Sequence, residues 1–196
     1  MVTYKTNARL GLEDYWDYDA HELVGGTSHA NITTGNNVIQ YQDVTLLGRA
    51  NSDLAFTRTY NSKDYEKSAF GYGWSFTGNE KIYLNIRGTA NILNYQDSDG
   101  TNHEFTYDGG AATYFGPAGS YDTIKKTSSD TYTLYDNYGN QTLFTVKETT
   151  TDTDIKVAYI DTQIDRNNNK VKYTYNESNQ LVSITTDLGA SLNKKL

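Results

Sequence analysis

Tyr135-Asp136-Asn137-Tyr138-Gly139-Asn140, running on into Gln141-Thr142-Leu143-Phe144-Thr145-Val146, decides the fold class of this chain. An Asp side chain caps its own backbone and Gly accepts a left-handed conformation, so the first half reads as a tight turn. The second half then reads as a strand, with Phe144 and Val146 on one face. Aligned on Asp136, the pattern recurs as Asp97, Gly100, Phe105, Thr106, Tyr107 and as Asp165, Asn168, Tyr173, Thr174, Tyr175. Each copy places an aromatic eight residues after its Asp, with the i+2 residue expected on the same face. The copies are 39 and 29 residues apart, which argues against a regular solenoid and for a winding sheet with hairpins of unequal length.

Working outward, period-2 alternation continues in both directions. Leu54, Phe56 and Tyr60 share a face that Arg58 interrupts, so Arg58 is expected to pair with a carboxylate or a Tyr hydroxyl near the repeats. Ile82, Leu84 and Ile86 form another face, followed by Tyr132 and Leu134, then Ile155, Val157 and Tyr159, then Val182 and Ile184. Turn-forming clusters separate them at residues 34–37, 97–100, 108–110, 136–140 and 165–169. The pattern predicts an all-β, antiparallel, hairpin-rich sheet with little or no helix. One helical alternative covers residues 12–23, where Leu12, Tyr15, Trp16, Ala20 and Leu23 fall at helical spacing between Gly11 and Gly25-Gly26. The repeated half starts near residue 90, which sets a boundary there.

Composition supports this reading. Leu, Ile, Val and Phe supply only 38 of 196 residues, yet 18 Tyr add large half-apolar rings, and 27 Thr suit pleated surfaces. No apolar run approaches the ~20 residues of a membrane-spanning helix. The absence of Cys removes disulfides, thiolate metal sites and thiol nucleophiles. A net charge of −7 argues against nucleic acid as a partner. Val2-Thr3-Tyr4-Lys5 after Met1 lacks the pattern of a signal peptide, and Asn193-Lys194-Lys195-Leu196 reads as a cut end, so the chain is expected to be a piece of a longer protein.

The repeats resemble degenerate YD repeats of the RHS (rearrangement hot spot) family, with Tyr135 to Asn140 as the closest copy. Asn31 to Val38, then Phe56-Thr57-Arg58-Thr59-Tyr60-Asn61-Ser62, then Phe70-Gly71-Tyr72-Gly73-Trp74-Ser75-Phe76 resemble the region just upstream of those repeats. The resemblance covers about residues 25–190. It divides the chain into a linker-like entry segment (1–24), a cap-like region (25–90) and a truncated repeat sheet (91–196). It implies the start of a β-shell in a large secreted, cell-wall-associated protein of polymorphic-toxin type, whose shell encloses a C-terminal toxin. The location implied is extracellular or at the cell surface, the partner is the remainder of the same chain, and the role is that of a scaffold rather than an enzyme. The family's self-cleaving aspartates lie in a region absent from this sequence.

Residue chemistry points the same way. His21, His29 and His103 form no metal-ligand spacing, no G-x-S-x-G elbow occurs, and no cofactor is expected. Asp165-x-Asn167-x-Asn169 opens like a calcium loop, but Lys170 stands where Gly is needed and Asn176 where Glu is needed. Phe70 and Trp74, flanking Gly71 and Gly73, are expected as core anchors. The other candidate structural positions are Tyr60 and the repeat residues, with Tyr135 before the second turn. Two alternatives are carried. Tyr abundance allows a module binding cell-wall polysaccharide, and the acidic set Glu13, Asp14, Asp17, Asp19 and Glu22 allows a surface glycoside hydrolase. A truncated sheet also exposes an edge through which copies could associate.

Overall fold

The computed structural model describes residues 10–46, 54–84, 91–149, 155–187 and 193–195. Expectations resting on residues 1–9, Ile86 or Leu188-Gly189 lie outside these. Every regular element among the described residues is a strand, so the all-β, antiparallel reading holds. No described helix is long and apolar enough to cross a membrane. Two compact units are formed. Among the described residues, one contains those up to Thr45, Ala55–Thr77 and Ser98–Asn102; the other contains Leu54, those of 78–97 and those from His103 onward.

The first unit is built on β1 (Tyr18–Leu23), β2 (Gly26–Asn31), β3 (Asn37–Leu46), β4 (Leu54–Asn61), the short ladder of β5 (Lys67–Ser68) with β6 (Gly71–Tyr72), and β7 (Trp74–Phe76). Its main sheet has the order β1-β2-β3-β4-β7. The helical alternative for residues 12–23 is corrected here. Trp16 N–H donates to Glu13 carbonyl in a turn (3.1 Å), and the chain then runs as β1, paired with β2 through the two-residue loop Val24-Gly25. Gly25 takes φ +80° as the second loop residue, the left-handed value that a type II turn needs there. A helix would have set Glu13 above Asp17, a destabilising like-charge pair. The carboxylates of Asp19 and Glu22 instead lie on an exposed strand.

The second unit contains β8 (Lys81–Leu84), β9 (Ile92–Gln96), β10 (Asn102–Asp108), β11 (Thr113–Phe115), β12 (Thr123–Lys126), β13 (Thr131–Tyr135), β14 (Gln141–Thr149), β15 (Lys156–Ile164), β16 (Lys170–Tyr175), β17 (Leu181–Asp187) and β18 (Asn193–Lys195). Strands β8 to β15 pair in sequence, and β15 pairs back onto β8, closing an eight-stranded barrel. Direct cross-strand partners mark its buried face: Ile124 with Leu134, Tyr132 with Phe144, Phe144 with Ile160, Ala158 with Ile82, and Leu84 with Leu93. All nine residues are at most 8% exposed. A barrel of this strand number is narrow enough for its own side chains to fill. Strands β16, β17 and β18 continue from β15 as an open sheet.

Candidate functional site

The repeat turns share one construction. Asp136 Oδ1 accepts the N–H groups of Tyr138 and Asn140, both at 2.8 Å, and Oδ2 accepts Asn140 Nδ2–H at 2.7 Å. Asp165 repeats this with Asn167 and Asn169 (2.8, 2.8 and 2.6 Å). In both turns the first residue also donates its N–H to the carbonyl of the fifth. Gly139 and Asn168 fill the fourth position at φ +87° and +64°. At Asp165 desolvation raises the carboxyl pKa, but the bonds from Asn169 and Asn167 outweigh it and hold the group below 3.8. The calcium-like spacing at Asp165 is therefore the signature of this turn, since both carboxylate oxygens already accept N–H groups.

A further copy starts at Asn176, which alignment on Asp leaves out although Tyr175-Asn176 and Leu181 onward resemble the run-on of the family's repeat. Asn176 Oδ1 accepts Ser178 and Gln180 N–H, Asn176 Nδ2 donates to Gln180 Oε1 (2.9 Å), and Asn179 holds φ +56°. Its signal was present as Asn-x-x-Asn-Gln, eleven residues after Asp165. The Asp97 copy departs from the pattern. Gly100 is left-handed there (φ +93°), but Asp99 caps Thr101 while Asp97 pairs with His103 Nε2 at 2.9 Å. The eighth position after each turn start is buried in all four copies: Phe105, Phe144, Tyr173 and Ile184 are each at most 2% exposed. The i+2 residues do not follow. Tyr107 is exposed and packs against Tyr114 (4.8 Å), while Tyr175 is half-buried after a register shift between Thr174 and Tyr175. Tyr135, just before the second turn, is half-buried with the Lys125 ammonium over its ring.

The two turns meet along one margin, where Arg166 N–H donates to Asn140 Oδ1 (3.2 Å). Between them, β15 changes partner. One edge of β15 pairs with β14 along its length, while the other pairs with β8 over Lys156–Tyr159 and with β16 over Thr162–Ile164. Asp161 is the extra residue where the β14 register shifts, a bulge that bends the strand between its two partners. Gly78 and Glu80 sit in this fork. Ile160 N–H donates to Glu80 carbonyl, Gly78 N–H donates to Glu80 Oε2 (2.7 Å), and Tyr175 hydroxyl donates to Gly78 carbonyl (3.1 Å). A Cβ on Gly78, already at φ +95°, would stand 2.7 Å from Leu181 Cδ2 and 3.1 Å from the Tyr173 ring. Burial pushes the Glu80 carboxyl up to about 7, against the opposing effect of backbone N–H groups that include that of Gly78. Neither residue carries a sequence motif that would have announced it.

In the first unit Arg58 does find a carboxylate, but on the neighbouring strand β3 rather than near the repeats. Its Nε and Nη2 donate to Asp43 at 2.5 and 2.8 Å. The guanidinium also lies over the rings of Trp74 (5.3 Å), Phe70 (5.4 Å) and Tyr41 (5.7 Å). Hydrogen bonding to Arg58 holds the Asp43 carboxyl below its usual range. Phe70 is corrected as a core anchor: it is 44% exposed, and Trp74 is only half-buried against Tyr60, its cross-strand partner. The rings form a half-open cage whose faces are turned on Arg58. The buried positions on β4 are Leu54 and the polar Thr59 and Asn61. Asn61 bonds to Asn36 and to Asp99 carbonyl, and Gly73 passes so close that a Cβ would lie 2.6 Å from Asn61 carbonyl. Gly71, at φ +113°, follows the turn at residues 69–70 and opens β6.

Residues 28–105 match a family described as Domain of unknown function (DUF6531). The chain is also similar to "tRNA nuclease WapA" of Bacillus subtilis (strain 168) and to "tRNA3(Ser)-specific nuclease WapA" of Bacillus spizizenii. Each is 32% identical over 175 residues, 88% of this chain and 6% of the relative. A third relative, "tRNA(Glu)-specific nuclease WapA" of Bacillus subtilis subsp. natto, matches to the same extent. The chain thus spans a small part of the curated relatives it matches. These matches support an RHS-like relationship. They also correct the expectation that no enzyme is involved, because the relatives are named as nucleases.

Proposed function

We propose that these residues form a scaffold segment of a longer secreted RHS-type toxin, in which a closed barrel seeds a YD-repeat sheet. The observation that carries this reading is the fork on β15, where one strand edge both closes the barrel and starts a sheet extended by repeat turns. The turn at Asn176 follows that at Asp165 after one strand, β16, and a residue eight positions on is buried each time. A unit that caps its own turn and buries one aromatic or aliphatic side chain adds strands without a new core design. The names of the relatives extend the proposal: the longer protein acts as a nuclease on tRNA, and the barrel and sheet enclose or deliver that activity outside the cell.

Protease protection tests it. In the longer protein, limited trypsin treatment is expected to spare the nuclease segment while the barrel is folded. Replacing Phe144, fully buried among barrel strands, with Asp is expected to unfold the barrel and lead to digestion of that segment. Equal digestion of both proteins would overturn the scaffold reading.

A further inference from the structure

The fork holds a carboxyl group that the scaffold role does not require. Glu80 precedes β8 at the point where β15 passes from β8 to β16, and its residue is 4% exposed. No lysine or arginine among the described residues bonds to it; its side chain accepts the Gly78 N–H. That N–H belongs to the same residue whose carbonyl takes the Tyr175 hydroxyl, so β16 is tied through Gly78 to the Glu80 carboxyl. Tyr173, 2% exposed, and Leu181 press on Gly78 from β16 and β17.

We propose that Glu80 is a proton-operated latch of the sheet fork, which holds the β16–β18 extension to the barrel when neutral and loosens it when ionised. Burial favours the neutral form over the opposing backbone N–H groups, and the ionisable side chains that face the fork are phenols and the Asp161 carboxylate. From β16 come the Tyr173 and Tyr175 phenols, which burial and the Glu80 charge together push upward. From β15 come Tyr159 and Asp161, both of which act on Tyr175. Lys81 Nζ lies 5.0 Å from the Tyr159 centroid and Lys147 Nζ 4.3 Å from that of Tyr175. An ionised Glu80 therefore draws water into the fork, and the contacts that must part to admit it are those of Gly78 with Tyr173, Tyr175 and Leu181.

The sign follows from linkage. A carboxyl raised from 4.5 to about 7 in the closed fork gives full closure below pH 4.5, and that contribution is lost as pH rises to about 7. The separation of the two values corresponds to a change of roughly 300-fold in the opening equilibrium at most. Hydrogen exchange of the full chain, corrected for the intrinsic pH dependence of exchange, reads this directly. Amides of β16 and β17 are expected to lose protection by about 100-fold between pH 5 and pH 8.5, while those of β12 and β13 stay level. Glu80→Gln is expected to abolish the step and remain closed at both pH values. Level protection in the unsubstituted chain, or a step retained in Glu80→Gln, would overturn the latch. Should that variant fail to fold, a carbon-13 titration of the Glu80 carboxyl in the unsubstituted chain decides: a midpoint near 7 supports the latch, and one near 4.5 refutes it.

Discussion

Removing the Asp165 side chain tests whether the repeat turn is held by its first residue. Asp165→Ala deletes three accepted bonds, two from backbone N–H groups at 2.8 Å and one from Asn169 Nδ2 at 2.6 Å. Charge-assisted bonds contribute about 1.5–3 kcal/mol each when dry, but this turn is largely solvated and water takes over part of each. With about 0.5–1 kcal/mol for each of the three bonds, the expected loss is about 2 kcal/mol. For a chain of this size that lowers Tm by roughly 4–8 °C. Asn169→Ala should cost about 1 kcal/mol, and the double variant less than the sum, with a coupling of about 1 kcal/mol. Urea titration at pH 7 gives all four values. Because the bonds from Asn169 and Asn167 hold the folded carboxyl below its usual range, the Asp165 contribution is present above that range and is lost as pH falls through the lowered value, so the two proteins should converge in strong acid. A loss under about 0.5 kcal/mol, or additive single effects, would refute the capping account.

Three other perturbations probe separate parts of the fold. Gly78→Ala introduces a Cβ 2.7 Å from Leu181 Cδ2 at φ +95°, and should destabilise by about 3 kcal/mol in thermal melts; a neutral result would mean the fork yields easily. Asn168→Gly relieves a left-handed non-glycine residue and should stabilise by about 0.5–1 kcal/mol in urea, with no gain expected if φ +64° were absent in solution. Arg58→Lys keeps the charge but loses the two-pronged contact to Asp43 and the planar stack on Trp74. It should cost about 1 kcal/mol and weaken the near-ultraviolet aromatic signal, whereas an unchanged spectrum would count against the cage.

What could be read in the sequence was local chemistry. Asp136 and Asp165 announced their turns because capping acts within five residues, and Phe105, Phe144 and Tyr173 announced the core because strand alternation starts from those turns. The Asn176 copy used the same geometry with the amides of Asn and Gln in place of Asp and Asn, so a search anchored on Asp passed over it. Barrel closure depends on Lys81–Leu84 meeting Lys156–Tyr159, a pairing far apart in the chain that no local spacing encodes. Phe70 and Trp74 misled because large rings flanked by glycines suit a core, whereas here they surround a guanidinium. Glu80 looked like an ordinary charged residue before a strand, and only the change of partner along β15 makes it a buried one.

The most direct test of the scaffold account is the pairing of β15 itself, read from cross-strand nuclear Overhauser contacts in the isotope-labelled chain. The account predicts contacts of Val157 with Tyr83 and, in the same molecule, of Gln163 with Val171, one strand edge serving barrel and extension together. Contacts running along β15 to a single partner, whether β8 or β16, would contradict it.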